Sequence, residues 1–79
     1  MAPIDETAAV NDLIGIAERL QLSDIRIAGA TGLASSTVYL IRTLRRLPKR
    51  DFPRRSVLNF IAANKGARSI SELRFVTAA

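Results

Sequence analysis

Apolar residues near the start of the chain recur every three or four positions, which is the spacing of one buried helix face. This spacing predicts a first helix over residues 6–20. Asp5 is placed to cap its first turn, and Ile4 to pack on the same turn. Gly15 lies inside the helix and should weaken it by about 1 kcal/mol relative to alanine. The predicted core positions are Val10, Leu13, Ile14, Ala17 and Leu20.

Two further helices are predicted around a short turn in the middle of the chain. Ser23 would cap a second helix over residues 24–30, and a turn over residues 31–34 would lead to a third helix from about Ser36 to Arg46. Gly32 can adopt the left-handed backbone of such a turn without the clash of a Cβ. The second helix is crowded with apolar side chains, those of Ile25, Ile27, Ala28 and Ala30. In the third helix, the residues expected to face the core are Val38, Ile41 and Leu44, with Leu40 or Leu47 at the margin, and those expected to face outward are Tyr39, Arg42, Thr43 and Arg46.

Prolines delimit the second half of the chain. Pro48 should end the third helix, because the residue before a proline is disfavoured in the helical conformation. After a loop over residues 49–52, Pro53 fits the first position of a fourth helix that ends at Lys65, with Gly66 as a left-handed residue after it. The predicted apolar side comprises Val57, Leu58, Ile61 and Ala62, with Phe60 partly included.

The tail over residues 67–79 is open to two interpretations. Ser69 and Glu72 match a capping box, which favours a short helix over residues 70–75. A terminal strand would also suit the apolar residues, but only the helix uses Glu72. The tail either forms a dimer surface or covers the core, through Ile70, Leu73, Phe75 and Val76.

The length of 79 residues fits a single small domain, with a core over residues 6–66. Apolar residues make up 48% of the chain but aromatic ones only 5%, so the core would consist of aliphatic side chains, which suit helices. We therefore predict an all-α domain of four to five helices. A core of this size is marginal alone, which favours a homodimer.

The composition argues against an enzyme. The sequence contains no cysteine and no histidine, which removes disulfides, zinc fingers, thiol nucleophiles and imidazole acid–base chemistry. With few, scattered carboxylates, we expect no catalytic site, no metal, no cofactor and no small-molecule ligand. No apolar run approaches the roughly 20 residues that span a bilayer, and the acidic N-terminus does not resemble a signal peptide. We expect no membrane partner and a cytoplasmic location.

Charge is distributed unevenly along the chain, whose formal net charge is +5. Residues 1–25 contain five acidic side chains and one basic, whereas residues 26–79 contain eleven basic and two acidic. This asymmetry predicts one face for a polyanion and another turned away from it. Seven cations lie within fourteen residues, opposed by Asp51 alone, and phosphates would relieve their mutual repulsion: Arg42, Arg45, Arg46, Lys49, Arg50, Arg54 and Arg55.

The segment over residues 27–41 has the features of a helix-turn-helix, and double-stranded DNA is the expected partner. The protein would then lie on the nucleoid when DNA is bound. Small Ala28 permits a close helix crossing, Gly32 allows the turn, and a polar triplet opens the next helix. Asp24 would repel phosphate unless it pairs with a nearby arginine, while Arg26 is within reach of the DNA backbone. The candidate DNA-binding residues are Ser35, Ser36, Thr37, Tyr39, Leu40, Arg42, Thr43, Arg45, Arg46, Lys49 and Arg50.

Several of these side chains have alternative roles. The triplet over residues 35–37 would read bases, contact phosphate or simply cap the helix. Tyr39 would meet a thymine methyl or a phosphate, or else pack on the second helix. Arg42 would recognise guanine with two hydrogen bonds or clamp a phosphate. Leu40 would touch a thymine methyl or belong to the core.

Residues 6–66 resemble the Cro/C1-type, λ-repressor-like regulators of phages and mobile elements, through Ile27-Ala28, Gly32, Ser35-Ser36-Thr37-Val38 and Ile41. The resemblance implies a transcriptional regulator, expected here to be a dimeric repressor of a near-palindromic operator, with Ser35, Ser36 and Leu40 reading bases. Asp24 stands near the position of a phosphate-binding glutamine in that family, and Arg42 replaces a typical glutamate.

Two alternatives compete with this interpretation. Residues 31–39 followed by Phe52-Pro53 are similar to winged excisionase or AlpA-type activators, but residues 47–53 are too short and too interrupted by proline for a wing. An antiactivator that binds another regulator would instead use an apolar or basic surface.

Overall fold

Four α-helices and one short 3₁₀ helix follow one another along residues 5–75, which are the residues described by the computed structural model. The helices are α1 (Glu6–Leu20), α2 (Asp24–Thr31), α3 (Ser35–Leu44) and α4 (Asp51–Asn64), followed by the 3₁₀ helix Ile70–Glu72. No strand occurs in the described range. The predicted all-α fold is confirmed.

Helix α1 has a side-chain cap at its start and a left-handed residue after its last turn. The Asp5 carboxylate accepts a hydrogen bond from the Ala8 N–H at 3.1 Å, which confirms the predicted cap. The helix ends at Gln21, whose φ of 55° lets the Leu22 N–H reach the Ala17 carbonyl at 2.8 Å. Four predicted core positions are buried, but Ile14 is only partly buried and Ile16 takes the deeper place. Ile4 lies outside the described residues.

The turn between α2 and α3 has the predicted form. The Ser23 hydroxyl accepts from the Arg26 N–H at 3.2 Å and caps α2. Gly32 has a φ of 77°, and its N–H donates to the Ala28 carbonyl at 2.8 Å. Ile25 is the exception among the apolar side chains of α2, because it is 76% exposed while Ile27, Ala28 and Ala30 are buried.

Helix α3 starts one residue earlier and ends two residues earlier than predicted. Arg45 adopts a left-handed backbone with a φ of 55°, which stops the helix and redirects the chain. Leu47 therefore returns to the core and is 4% exposed, whereas Leu44, predicted to face the core, is 61% exposed. Leu40 is also exposed, so Leu47 is the marginal leucine that joins the core.

Helix α4 begins two residues before the predicted start. Pro53 stands in its first turn, where backbone N–H groups have no helical partner and a proline therefore costs little. Asp51, also in this turn, favours the earlier start through the helix dipole. Phe60 is fully buried, while Ala62 is exposed, contrary to the prediction. Gly66 does not take the predicted left-handed backbone, since Gly32 is the glycine with positive φ in the described range.

The tail forms neither a helix over residues 70–75 nor a strand in the described range. It makes one 3₁₀ turn and then extends, because the predicted capping box does not form. The Ser69 hydroxyl contacts the Ser71 hydroxyl at 2.8 Å, and the Glu72 carboxylate accepts from the Arg68 N–H at 2.7 Å. Leu73 packs against the core, whereas Ile70 and Phe75 are exposed. Val76 lies outside the described residues.

Helices α1 and α4 pack with their corresponding ends together. Glu6 pairs with Arg54 near the two N-terminal ends at 3.4 Å. At the other end, Arg19 donates from Nε to the Ala67 carbonyl at 2.7 Å and from Nη2 to the Lys65 carbonyl at 3.1 Å. These contacts join α1 to both ends of α4. None of the helices in residues 5–75 has the length and apolar character needed to cross a membrane.

Candidate nucleic-acid interface

Helix α3 is anchored by one face and open to solvent on the other. Val38 and Ile41 are 1% and 3% exposed and fix the helix to the core. Thr37, at the edge between the two faces, is half-buried. The exposed face carries Ser35, Ser36, Tyr39, Leu40 and Thr43, all among the predicted site residues.

The hydroxyls at the start of α3 do not cap the helix. Ala34 is the N-cap residue, and no side chain caps this helix. Within residues 5–75, none of the hydroxyls of Ser35, Ser36 and Thr37 makes a hydrogen bond to another group. The capping alternative for this triplet is therefore wrong, and its donors and acceptors face solvent or the margin of the helix.

Tyr39 and Leu40 bring apolar surface to the exposed face. Tyr39 lines a shallow groove between the start of α2 and α3, together with Ile25 and Ser35. Its ring is nevertheless 58% exposed, so packing on α2 occupies only part of it. Leu40 is 51% exposed, which excludes its alternative role as a core residue.

Arg42 forms an ion pair with Asp24 instead of extending from the exposed face. Its Nη1 donates to Asp24 Oδ1 at 2.5 Å, across the gap between α2 and α3. The two side chains are 32% and 28% exposed. The sequence predicts that Asp24 repels phosphate unless an arginine pairs with it. Arg42 is that arginine.

Other members of the group of seven cations over residues 42–55 also have partners. Arg45 donates to the Asn11 side chain at 2.9 Å, and Arg54 donates to the Pro48 carbonyl as well as to Glu6, both at 3.4 Å. Arg55 pairs with Asp51 at 3.2 Å on the exposed side of α4.

Ion pairs reduce the charge asymmetry that the sequence shows between residues 1–25 and the rest of the chain. Three acidic residues of the N-terminal part lie against basic residues from the rest of the chain. The pairs are Glu6–Arg54, Asp12–Lys65 at 3.9 Å and Asp24–Arg42. Folding therefore neutralises much of the asymmetry seen along the sequence.

The cations that remain open to a ligand follow the end of α3. Arg46, Lys49 and Arg50 are exposed, and no hydrogen bond or ion pair links their side chains to another residue in the described range. We call these three residues the basic loop. Arg26, on the surface of α2, is likewise exposed.

Sequence reasoning missed two apolar members of this surface, Ile25 and Leu44. Ile25 precedes the buried Ile27 by two positions, and two positions rotate a helix by about 200°, so strict helical spacing could have placed it outside. Leu44 could not be found this way, because it follows the buried Ile41 by three positions, which is helical spacing for the same face.

No known protein family, curated protein or solved structure matches this chain. Between residues 5 and 75, no group of three or more potential ligands could hold a metal ion.

Proposed function

We propose that this protein binds double-stranded DNA as a helix-turn-helix transcriptional regulator, with α3 in the major groove. The observation that carries the proposal is that α3 exposes hydroxyls that do not cap the helix and is followed directly by the basic loop. Such a helix supplies groups for base edges, and the adjacent cations supply phosphate contacts that set its position.

The roles of the site residues follow from their positions. Ser36, Tyr39 and Thr43 lie on the outward face and are assigned to base edges or nearby phosphates, and Leu40 to a thymine methyl. The basic loop is assigned to phosphates, where each cation releases counterions on binding. Arg42 is not assigned to guanine, because its guanidinium is held by Asp24.

We further propose that the active form is a homodimer that acts as a repressor in the cytoplasm, at a near-palindromic operator. Two copies of α3 would then enter successive major grooves about 34–36 Å apart. Occupation of a promoter by such a dimer would block transcription without a separate ligand-binding domain. The exposed Ile70 and Phe75 in the tail are the proposed contact between copies.

The proposal predicts a steep dependence of DNA affinity on salt. Binding of a labelled random-sequence 30-base-pair duplex should weaken steadily as salt rises, since several phosphate contacts are made. The variant Arg46→Ala should weaken binding and reduce the slope of log affinity against log salt by about 0.9, the value for one phosphate contact. Fluorescence anisotropy measured over a series of salt concentrations gives both quantities.

Arg68→Ala is the matched control. Arg68 is also an exposed arginine, but it follows α4 near the end that Arg19 holds, away from the basic loop. This variant should keep the wild-type slope. Equal losses for both variants would mean that net charge alone governs binding, and no binding at low salt would refute the function.

A second function, binding to another regulator, is favoured by exposed apolar side chains near α3. Ile25, Tyr39, Leu40 and Leu44 are all more than half exposed. A protein partner would bury them without strong salt dependence. Leu44→Ser distinguishes the two functions, because it should weaken binding to a protein partner that buries Leu44, whereas Leu44 is not among the proposed DNA-reading residues. Under the DNA proposal, this variant should bind the duplex as the wild type does.

A further inference from the structure

The ion pair between Asp24 and Arg42 joins the two helices of the proposed DNA-binding motif. Asp24 is the first residue of α2, and Arg42 lies in the last turn of α3. Both side chains are about 30% exposed, whereas the Arg55–Asp51 pair is 55% and 81% exposed. Water and salt screen a partly buried pair less than an exposed one. The Asp24–Arg42 contact should therefore persist at cellular ionic strength.

The pair lies where a free arginine would contact DNA of any sequence. Arg42 is one turn beyond Tyr39 and precedes the basic loop, so a released guanidinium would reach the phosphates that flank the groove. The carboxylate of Asp24 removes this cation from the interface and adds a negative charge beside it. A second carboxylate, that of Glu18 in α1, lines a shallow pocket together with Asp24 and Arg42.

We propose that Asp24 is a specificity-determining residue: by holding Arg42, it lowers the affinity of the protein for DNA of arbitrary sequence. The inference rests on the proposed DNA-binding function. A regulator must distinguish its operator from a large excess of other sites, and a weaker phosphate attraction increases that distinction. Arg42 accordingly makes no contact with the duplex in the wild-type protein.

The variant Asp24→Asn tests this inference because it removes the charge and nearly preserves the shape. Its affinity for the random-sequence duplex should rise by roughly five- to tenfold at 0.1 M salt, since one more phosphate contact releases one more counterion. The salt slope should become steeper by about 0.9. Arg42→Ala should leave the salt slope unchanged, because Arg42 makes no phosphate contact in the wild type, and should lower the affinity, because Asp24 then stands unpaired. Asp24→Asn combined with Arg42→Ala should also keep the wild-type slope.

Two controls separate this effect from net charge. Asp12→Asn changes the charge equally, but Asp12 pairs with Lys65 at the end of α4, so the affinity should rise much less. Asp24→Glu retains the charge and should stay close to the wild type. Glu18→Gln is added to Asp24→Asn, because Glu18 could otherwise accept the released guanidinium.

Each outcome decides the matter. If the wild type binds the duplex and Asp24→Asn, with or without Glu18→Gln, has the same affinity and slope, the inference is overturned while the function stands. An equal gain in Asp12→Asn also overturns it. If Asp24→Asn unfolds below the assay temperature, Arg42→Ala decides, since a slope reduced by about 0.9 would show that Arg42 already contacts phosphate. If neither the wild type nor any variant binds, both proposals fail.

Discussion

At the scale of single residues, Asn64 shows how one buried amide can hold a chain segment in place. Its Nδ2 donates to the Phe60 carbonyl and to the Arg74 carbonyl, both at 3.0 Å, and its Oδ1 accepts from the Arg74 N–H at 2.7 Å. The side chain is completely buried. It thereby pairs both backbone groups of Arg74, which no strand in the described range would otherwise pair.

Asn64→Ala should lower the free energy of unfolding by about 2 kcal/mol, because it removes three hydrogen bonds and leaves a backbone N–H without its partner. Urea denaturation measures this change. Asn59→Ala is the control, since Asn59 lies exposed on the same helix and should change stability by no more than about 0.5 kcal/mol. Equal effects would show that helix propensity controls the loss of stability. The hydrogen bonds from Asn64 to Arg74, here called the Asn64 clamp, would then contribute little.

The sequence predicts caps well at this scale and distant partners poorly. Asp5 and Ser23 bond to N–H groups three residues away, so their roles can be inferred from a short window. The partners of Asn64 and Arg19 include groups 10 to 48 residues away, and nothing local indicates them. Asp24 is intermediate, because its need for an arginine was evident but the identity of that arginine was not.

At the scale of elements, two glycines lie inside helices, whereas a third forms the turn between α2 and α3. Gly15 in α1 and Gly29 in α2 have right-handed helical positions, and a Cβ added at either would meet no heavy atom within 4 Å. Gly32, with its positive φ, forms the turn that sets α3 against α2. Helix propensity therefore opposes glycine at the first two positions, whereas backbone geometry demands it at the third.

Gly15→Ala and Gly29→Ala should each raise the free energy of unfolding by about 0.5–1 kcal/mol. Gly32→Ala should lower it by about 1 kcal/mol or more, because an L-residue is strained at that φ. Thermal unfolding followed by circular dichroism compares the three variants directly. A gain in stability for Gly32→Ala would contradict the turn geometry.

Element boundaries were predictable where residues carry a strong local preference, as at Gly32. The predicted boundaries were wrong at the end of α3, before Arg45, and at the start of α4, at Asp51. Arginine has no marked preference for a left-handed backbone, so periodicity extended α3 by two residues. Pro53 marked the start of α4 correctly to within one turn, because a proline is tolerated throughout that turn. The outward positions of α3 were largely predicted, since the buried pair Val38 and Ile41 fixes the opposite face.

At the scale of the whole molecule, the proposed dimer depends on the tail. Ile70 is 48% and Phe75 70% exposed, while Leu73 between them packs on the core. The Asn64 clamp holds this arrangement at a fixed place on the surface. Two copies joined there would bury the apolar side chains that a single copy leaves in water.

Phe75→Ser should convert a dimer to a monomer of 8.6 kDa with little effect on its fold, because the ring is mostly in solvent within one copy. Sedimentation equilibrium measures the mass. Phe52→Ser provides the comparison, since Phe52 is 47% exposed at the start of α4 and outside the tail. A wild-type protein that stays monomeric at high concentration would refute the dimer.

The bonds from Arg19 to the end of α4 connect positions 45 to 48 residues apart, whereas α2 and α3 meet within about twenty residues. Closing a long loop costs more conformational entropy than closing a short one, and distant contacts slow folding. We therefore expect α2 and α3 to associate early during folding, and the α1–α4 junction to lock last. The surface proposed to bind DNA would then come from the part of the chain that folds first.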